Sequence, residues 1–207
     1  MTAGIEIGPD GRPRCWWGNS DPLYITYHDT EWGRPSADDR RLFEKLSLEG
    51  FMSGLSWLTI LRKRETFRAA FANFDPPAVA RFTQADEERL MGDAGIVRNR
   101  AKIAATINNA QRYSEVVKEF GSFAAYAWRF APPARARLID QAELMQIKFS
   151  PEAAAMSKDL RRRGWAFVGP TTVYSFMQSM GLVNDHVGGC YVGDEVQREL
   201  KRFKRPA

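Results

Sequence analysis

The sequence predicts an all-α fold, because helix caps and helical apolar spacing recur along the chain while alternating strand patterns are almost absent. Its 207 residues, 44% hydrophobic and 27% charged, suffice to bury a core in one large domain or two small ones. Ser36-Ala37-Asp38-Asp39 reads as a capping box leading into Leu42, Phe43 and Leu46, with a stop at Gly50. Trp57, Ile60, Phe67, Phe71 and Phe74 keep helical spacing, with one turn missed at Arg64. Thr83 and Asp86 open a short helix that ends near Gly95, and Arg100 to Tyr113 carries Ile103 and Ile107 four apart. Ser150-Pro151-Glu152 sets an N-cap before a proline at the first helical position, and Gly164 closes that helix. Gly169-Pro170 starts another, carrying Val173, Phe176, Met177 and Met180 to a stop at Gly181. There is no internal repeat, and Pro132-Pro133 marks the one plausible joint.

The stretch from Met1 to Arg14 reads as a loose polar tail without an apolar export segment. No apolar run approaches the roughly 18 residues that span a bilayer. Two cysteines make no disulfide framework, so reduced thiols and a cytoplasmic location are expected. The net charge of +5 is concentrated in Arg62-Lys63-Arg64, Arg98 to Lys102, Arg161-Arg162-Arg163 and Lys201 to Arg205. Such clusters suit a polyanionic partner, although a solvated basic surface explains them equally well.

The two cysteines and two histidines of the chain fall as Cys15-x12-His28 near the start and His186-x3-Cys190 near the end. A Cys2His2 set is a tetrahedral zinc shell, and His-x3-Cys lets two ligands converge from one turn. Four protein ligands leave no open position, so the predicted ion is structural, clipping the chain's ends together. The bland alternative is two buried thiols and two incidental imidazoles.

Several ordered motifs then stand out: Cys15-Trp16-Trp17-Gly18, Asp21-Pro22-Leu23-Tyr24 and Tyr27-His28-Asp29-x-Glu31-Trp32-Gly33. They are followed by Leu48-Glu49-Gly50, Gly54-Leu55-Ser56-Trp57, Asp93-Ala94-Gly95-Ile96-Val97-Arg98 and Gly181-Leu182-Val183-Asn184-Asp185-His186. From about Arg14 to Cys190 the chain resembles the bacterial 3-methyladenine DNA glycosylase I family. The resemblance implies a helix-hairpin-helix DNA glycosylase that removes N3-methyladenine from alkylated double-stranded DNA, with Cys15, His28, His186 and Cys190 as zinc ligands. It also suggests a division into a flexible tail (1–13), one unit (14–192) and a basic helical tail (193–207). Within that unit a central helical part, about 36–130, is flanked by the zinc-joined ends. A monomer is expected, with no membrane partner.

The residues bear a chemical reading beside the resemblance. An enzyme acting on a base must take it out of the stack into a pocket with flat aromatic walls. Trp17, Tyr24, Tyr27, Trp32 and Trp57 cluster in sequence near one carboxylate, Glu49. N3-methyladenine in DNA is a cation, which an electron-rich ring attracts. Matched to the family, Trp57 stacks on the base with Trp17, Tyr24 and Ser175 beside it. Glu49 accepts from the adenine amino group, and Tyr27 assists catalysis. Trp32 is read as structural. Glu49 shares a helical face with Leu42 and Leu46, where a carboxylate needs a partner, and a bound base would be one. Leu55, beside Gly54, is either a wedge for the flipped base's space or a core leucine. Gly95 permits a backbone turn whose amides, with Arg98, Arg100 and Lys102, would hold a phosphate; a helix–Gly–helix corner is equally a packing device.

The interval from Arg100 to Phe120 contains no aspartate, the residue many helix-hairpin-helix glycosylases use there. A monofunctional hydrolase without a Schiff base is therefore expected, since the methylated base already leaves easily. Two departures from the family bear on lesion range: Phe51-Met52 replaces a polar, damage-facing residue, and Ile147-Lys148-Phe149-Ser150 is less polar than usual. A damage-binding protein that does not cleave, and an unrelated zinc-stapled helical interaction domain, are the competing readings.

Overall fold

The computed structural model describes residues 3–207. Its architecture is helical, apart from one short hairpin of β1 (Ile5–Ile7) against β2 (Pro13–Cys15), with Ile5 opposite Cys15. Within the segment read as a loose tail, residues 5–7 and 13–14 are thus part of a paired hairpin. Arg14, 1% exposed, anchors it by reaching both Asp10 and Asp29 at 2.7 Å. A single turn (Trp16–Asn19) leads into α1 (Pro22–Thr30), whose cap Asp21 accepts from the Leu23 amide.

α2 (Asp39–Met52) is the central helix and is buried almost all round. Asp38, not Ser36, caps it by accepting from the Arg41 amide at 2.9 Å, and it runs past Gly50. The expected single helix from Trp57 divides into α3 (Trp57–Arg62) and α4 (Arg64–Ala70). The missed apolar turn explains the division: Arg64 points inward to the carboxylates of Glu44 and Glu31, both at 2.7 Å. After α5 (Pro76–Val79) come α6 (Gln84–Gly92), opened by the Thr83/Asp86 capping box, and the long α7 (Arg100–Phe120). α8 (Phe123–Trp128) docks on α2 because the Asp39 carboxylate accepts from the Phe123 and Ala124 amides.

α9 (Gln141–Gln146) follows the proline pair and carries its own capping box, Asp140 with Glu143. α10 (Pro151–Arg162) and α11 (Pro170–Ser179) end as the glycine signals predict, with φ of +81° at Gly164 and +73° at Gly181. A Cβ at Gly181 would sit 2.5 Å from the Pro35 nitrogen, so only glycine fits that crossing. The basic tail forms α12 (Gly193–Arg202). α11 packs on α10 and α2, and α5 on α7, around one main aromatic-rich core. A second, small core gathers Cys15, Val187, Cys190, Val192 and Val196 from the two ends of the chain. Among the described residues no helix is long and apolar enough to cross a membrane.

Candidate active site and metal cluster

Chain ends that are remote in sequence meet at four buried residues. Cys15 comes from β2, His28 from α1, and His186 and Cys190 from the loop after α11; their donor atoms all lie within 4.8 Å of one another. Cys15 Sγ is 3.7 Å from His186 Nδ1, while Cys190 Sγ is 3.5 Å from both His28 Nε2 and His186 Nδ1. Tetrahedral bonds of about 2.3 Å to sulfur and 2.05 Å to nitrogen require a sulfur–nitrogen edge of about 3.6 Å, so the donor set fits a zinc-sized ion. The other ring nitrogens are already occupied: His28 Nδ1 lies 2.8 Å from Asp29 Oδ1 and His186 Nε2 3.2 Å from the Trp32 carbonyl. That leaves His28 Nε2 and His186 Nδ1 facing the cluster, an assignment the sequence alone did not contain.

Beside the cluster opens a cavity of about 390 Å³, within the range of small-molecule clefts. Trp17, Tyr24, Tyr27, Glu49, Trp57 and Ser175 all line it, so the six expected base-site residues converge. Local structure explains how. The hydroxyl of Ser56 accepts from the Thr59 amide and that of Tyr24 from the Leu58 amide at 3.0 Å, which fixes the start of α3 and so Trp57. Trp17 meets Tyr24 edge-on, with centroids 5.8 Å apart, and Tyr27 meets Trp57 at 5.3 Å. Trp32 serves both sites: its ring lines the cavity and packs edge-on against His186 at 4.6 Å.

Sequence reasoning missed several residues of this site. Tyr174 and Gln178, one turn apart on α11, line the cavity and donate to Asp185 Oδ2 at 2.6 and 2.8 Å. Trp16, Met52, Thr171 and the α9 segment, with Leu144, Met145, Ile147 and Lys148, complete the wall. The most consequential omission is Lys45. It is 2% exposed, and its Nζ lies 2.9 Å from Glu49 Oε1, 3.1 Å from the Trp57 ring centroid and 4.8 Å from that of Tyr27. The spacing of four on one helix was a visible signal. Burial pulls the lysine down to about 8, against the opposing pull of Glu49. Burial likewise holds the Tyr27 hydroxyl well above the ordinary tyrosine value, with Glu49 adding to the effect, so it stays protonated. Glu49 Oε2 and Trp57 Nε1 are buried without a hydrogen-bond partner, and Lys45 Nζ has no hydrogen-bonding neighbour besides the Glu49 carboxylate.

The model of the methyladenine glycosylase family matches residues 16–193. This chain belongs to that family. DNA-3-methyladenine glycosylase 1 of Escherichia coli is 49% identical over 178 residues, 86% of this chain and 95% of that protein. The enzyme of Haemophilus influenzae is 43% identical over the same share of this chain and 96% of its own. A crystal structure of 3-methyladenine DNA glycosylase I superposes with a TM-score of 0.80 at 46% identity, covering 86% of this chain and 98% of that one. A variant of such an enzyme in complex with 3-methyladenine gives 0.81 at 38% identity, covering 86% and 96%.

Against this methyladenine glycosylase background, several expectations need correction. Phe51 does not face the cavity; it is 1% exposed, its ring 4.7 Å from Phe67 and 5.7 Å from Phe71. The second departure does touch the site, since Ile147 and Lys148 line the cavity. Lys102 is not on the surface: its Nζ donates to the carbonyls of Phe51 and Ser53, at 2.9 and 2.6 Å, tying down the end of α2. Gly95 is required by close approach rather than by a left-handed turn, because a Cβ there would come within 3.0 Å of Thr66. Its amide is taken by Asp93 Oδ1 at 2.7 Å, so it is no phosphate donor. Leu55, Arg98 and Arg100 are exposed, and the amides of Val97 and Arg98 make no hydrogen bond within the described residues. Glu49 has its partner without a bound base, in Lys45.

Proposed function

We propose that this chain is a DNA-3-methyladenine glycosylase that hydrolyses the N-glycosidic bond of N3-methyladenine in alkylated double-stranded DNA. The observation that carries the reading is the aromatic cavity lined by a buried carboxylate with a free oxygen, Glu49 Oε2. A flipped base enters between Trp57, Tyr24 and Trp17, whose faces favour its positive charge. Oε2 accepts from the exocyclic amino group, and the Trp57 indole N–H is a further donor. The C1′–N9 bond then breaks, and its electron pair neutralises the ring. Water bonds to C1′ and gives its proton to solvent. The cation is a good leaving group, so positioning and electrostatics suffice, without a lysine nucleophile.

The loop 93–99, between α6 and α7, is read as the DNA-binding hairpin, with Arg98, Arg100 and the free amides of Val97 and Arg98 on phosphates. Exposed Leu55, beside Gly54, is read as the wedge that fills the vacated stack. Cys15, His28, His186 and Cys190 would hold one structural zinc ion, whose contribution is cohesion rather than chemistry. The protein is expected to act as a monomer in the cytoplasm, where thiols stay reduced.

The test is release of 3-methyladenine from methylated DNA. Wild type should release it, and Glu49→Ala should slow release at least a hundredfold, an order of loss typical of one preorganised polar group. Release by wild type no faster than by Glu49→Ala would leave the lesion-binding reading in its place.

A further inference from the structure

We propose that Lys45 is a positioning residue for base release, a resident cation that offsets Glu49 so that the carboxylate recognises the adenine edge without trapping the methylated base as a cation. The inference rests on the glycosylase reading above. As C1′–N9 breaks, positive charge leaves the base and passes to the sugar. An uncompensated carboxylate beside the base stabilises the starting cation more than the neutral product. Such a pocket binds substrate tightly and releases the base slowly, because only interactions stronger in the transition state accelerate the step.

The geometry supplies the compensation. Lys45 approaches Glu49 through Oε1, at 2.9 Å, and leaves Oε2 free. Its Nζ sits against the rings of Trp57 and Tyr27, which also line the cavity, while Lys45 itself does not. The pair is neutral overall, with Arg64 and Glu31 as the further charges acting on Lys45. A purely structural lysine would look different. Lys102, also buried, donates to two backbone carbonyls, whereas Lys45 Nζ meets no backbone carbonyl and has only the Glu49 carboxylate and two aromatic rings around it. A buried ion pair is rarely the most stable filling for such a site, which points to chemistry as the reason for it.

The experiment compares single-turnover release of 3-methyladenine from methylated duplex by wild type, Lys45→Met, Glu49→Gln and the double variant, with folding checked by circular dichroism. Lys45→Met should lower the half-saturating concentration and slow the rate constant on the order of tenfold. In the Glu49→Gln background, where no negative charge remains to offset, the same change should cost less than about twofold. Equal losses in both backgrounds would make Lys45 a packing residue, and no loss in the wild-type background would also overturn the proposal. Should Lys45→Met fail to fold, the comparison of Glu49→Gln with the double variant still decides, since a tenfold loss there refutes charge compensation. Wild type that releases no base would instead refute the glycosylase reading.

Discussion

Neighbouring side chains at the end of α2 divide between core and cavity. Phe51 is packed against Phe67 and Phe71, while Met52 lines the cavity. Phe51→Ala should therefore cost about 3–5 kcal/mol in unfolding free energy and leave the preference among methylated bases unchanged. Denaturant unfolding beside base-release assays on 3-methyladenine, 3-methylguanine and 7-methylguanine checks both halves. A shifted lesion preference with intact stability would contradict the core placement. Single residues were legible where chemistry was scarce: with two histidines and two cysteines in the whole chain, their convergence was readable before any coordinates. Lys45 was legible only as a possible partner of Glu49 four residues on; its burial was not, because a lysine on a helix ordinarily points to water, and only packing shows α2 enclosed from Leu42 to Phe51.

Among the elements, the joint between α6 and α7 shows how sequence signals and tertiary demands combine. Thr66 donates to the Gly95 carbonyl at 2.6 Å and Lys63 to the Ala94 carbonyl at 2.8 Å, so α4 and its preceding cap hold the loop from beneath. The basic side chains left exposed are Arg98 and Arg100, the latter 4.0 Å from Glu87. Replacing either with alanine should weaken binding to undamaged duplex and reduce the slope of log affinity against log salt by about 0.9 for each phosphate no longer neutralised. Fluorescence anisotropy across a salt series reads this directly, and an unchanged slope in both variants would remove the loop from the DNA-binding surface. Caps made several helices readable, because Ser150 and Thr83 use local chemistry that needs no tertiary partner. The hairpin β1–β2 was not readable, since each strand is only three residues long and the pairing is secured by Arg14 reaching Asp29 on α1. The wall supplied by α9 was equally hidden, for nothing local says which face of a short helix meets a cavity.

The whole molecule is organised by the meeting of its ends. Asp185 accepts from Tyr174 and Gln178 of the cavity wall and directly precedes His186, so the Cys/His cluster and the cavity share one scaffold. Cys190→Ser should lose bound zinc and lower the unfolding midpoint on the order of 10 °C, with activity falling in step with the folded fraction. Metal analysis, thermal unfolding and base release on the same samples test this; loss of zinc with full stability would make the clip incidental. The same arrangement has a consequence during synthesis. The aromatic walls around Trp17 and Tyr24 leave the ribosome early, yet the residues that secure them, His186 and Cys190, emerge near the end. A chain that stops short of His186 therefore has the sequence of its central helices but lacks two of the four residues that tie the Trp17 and Tyr24 segment in place.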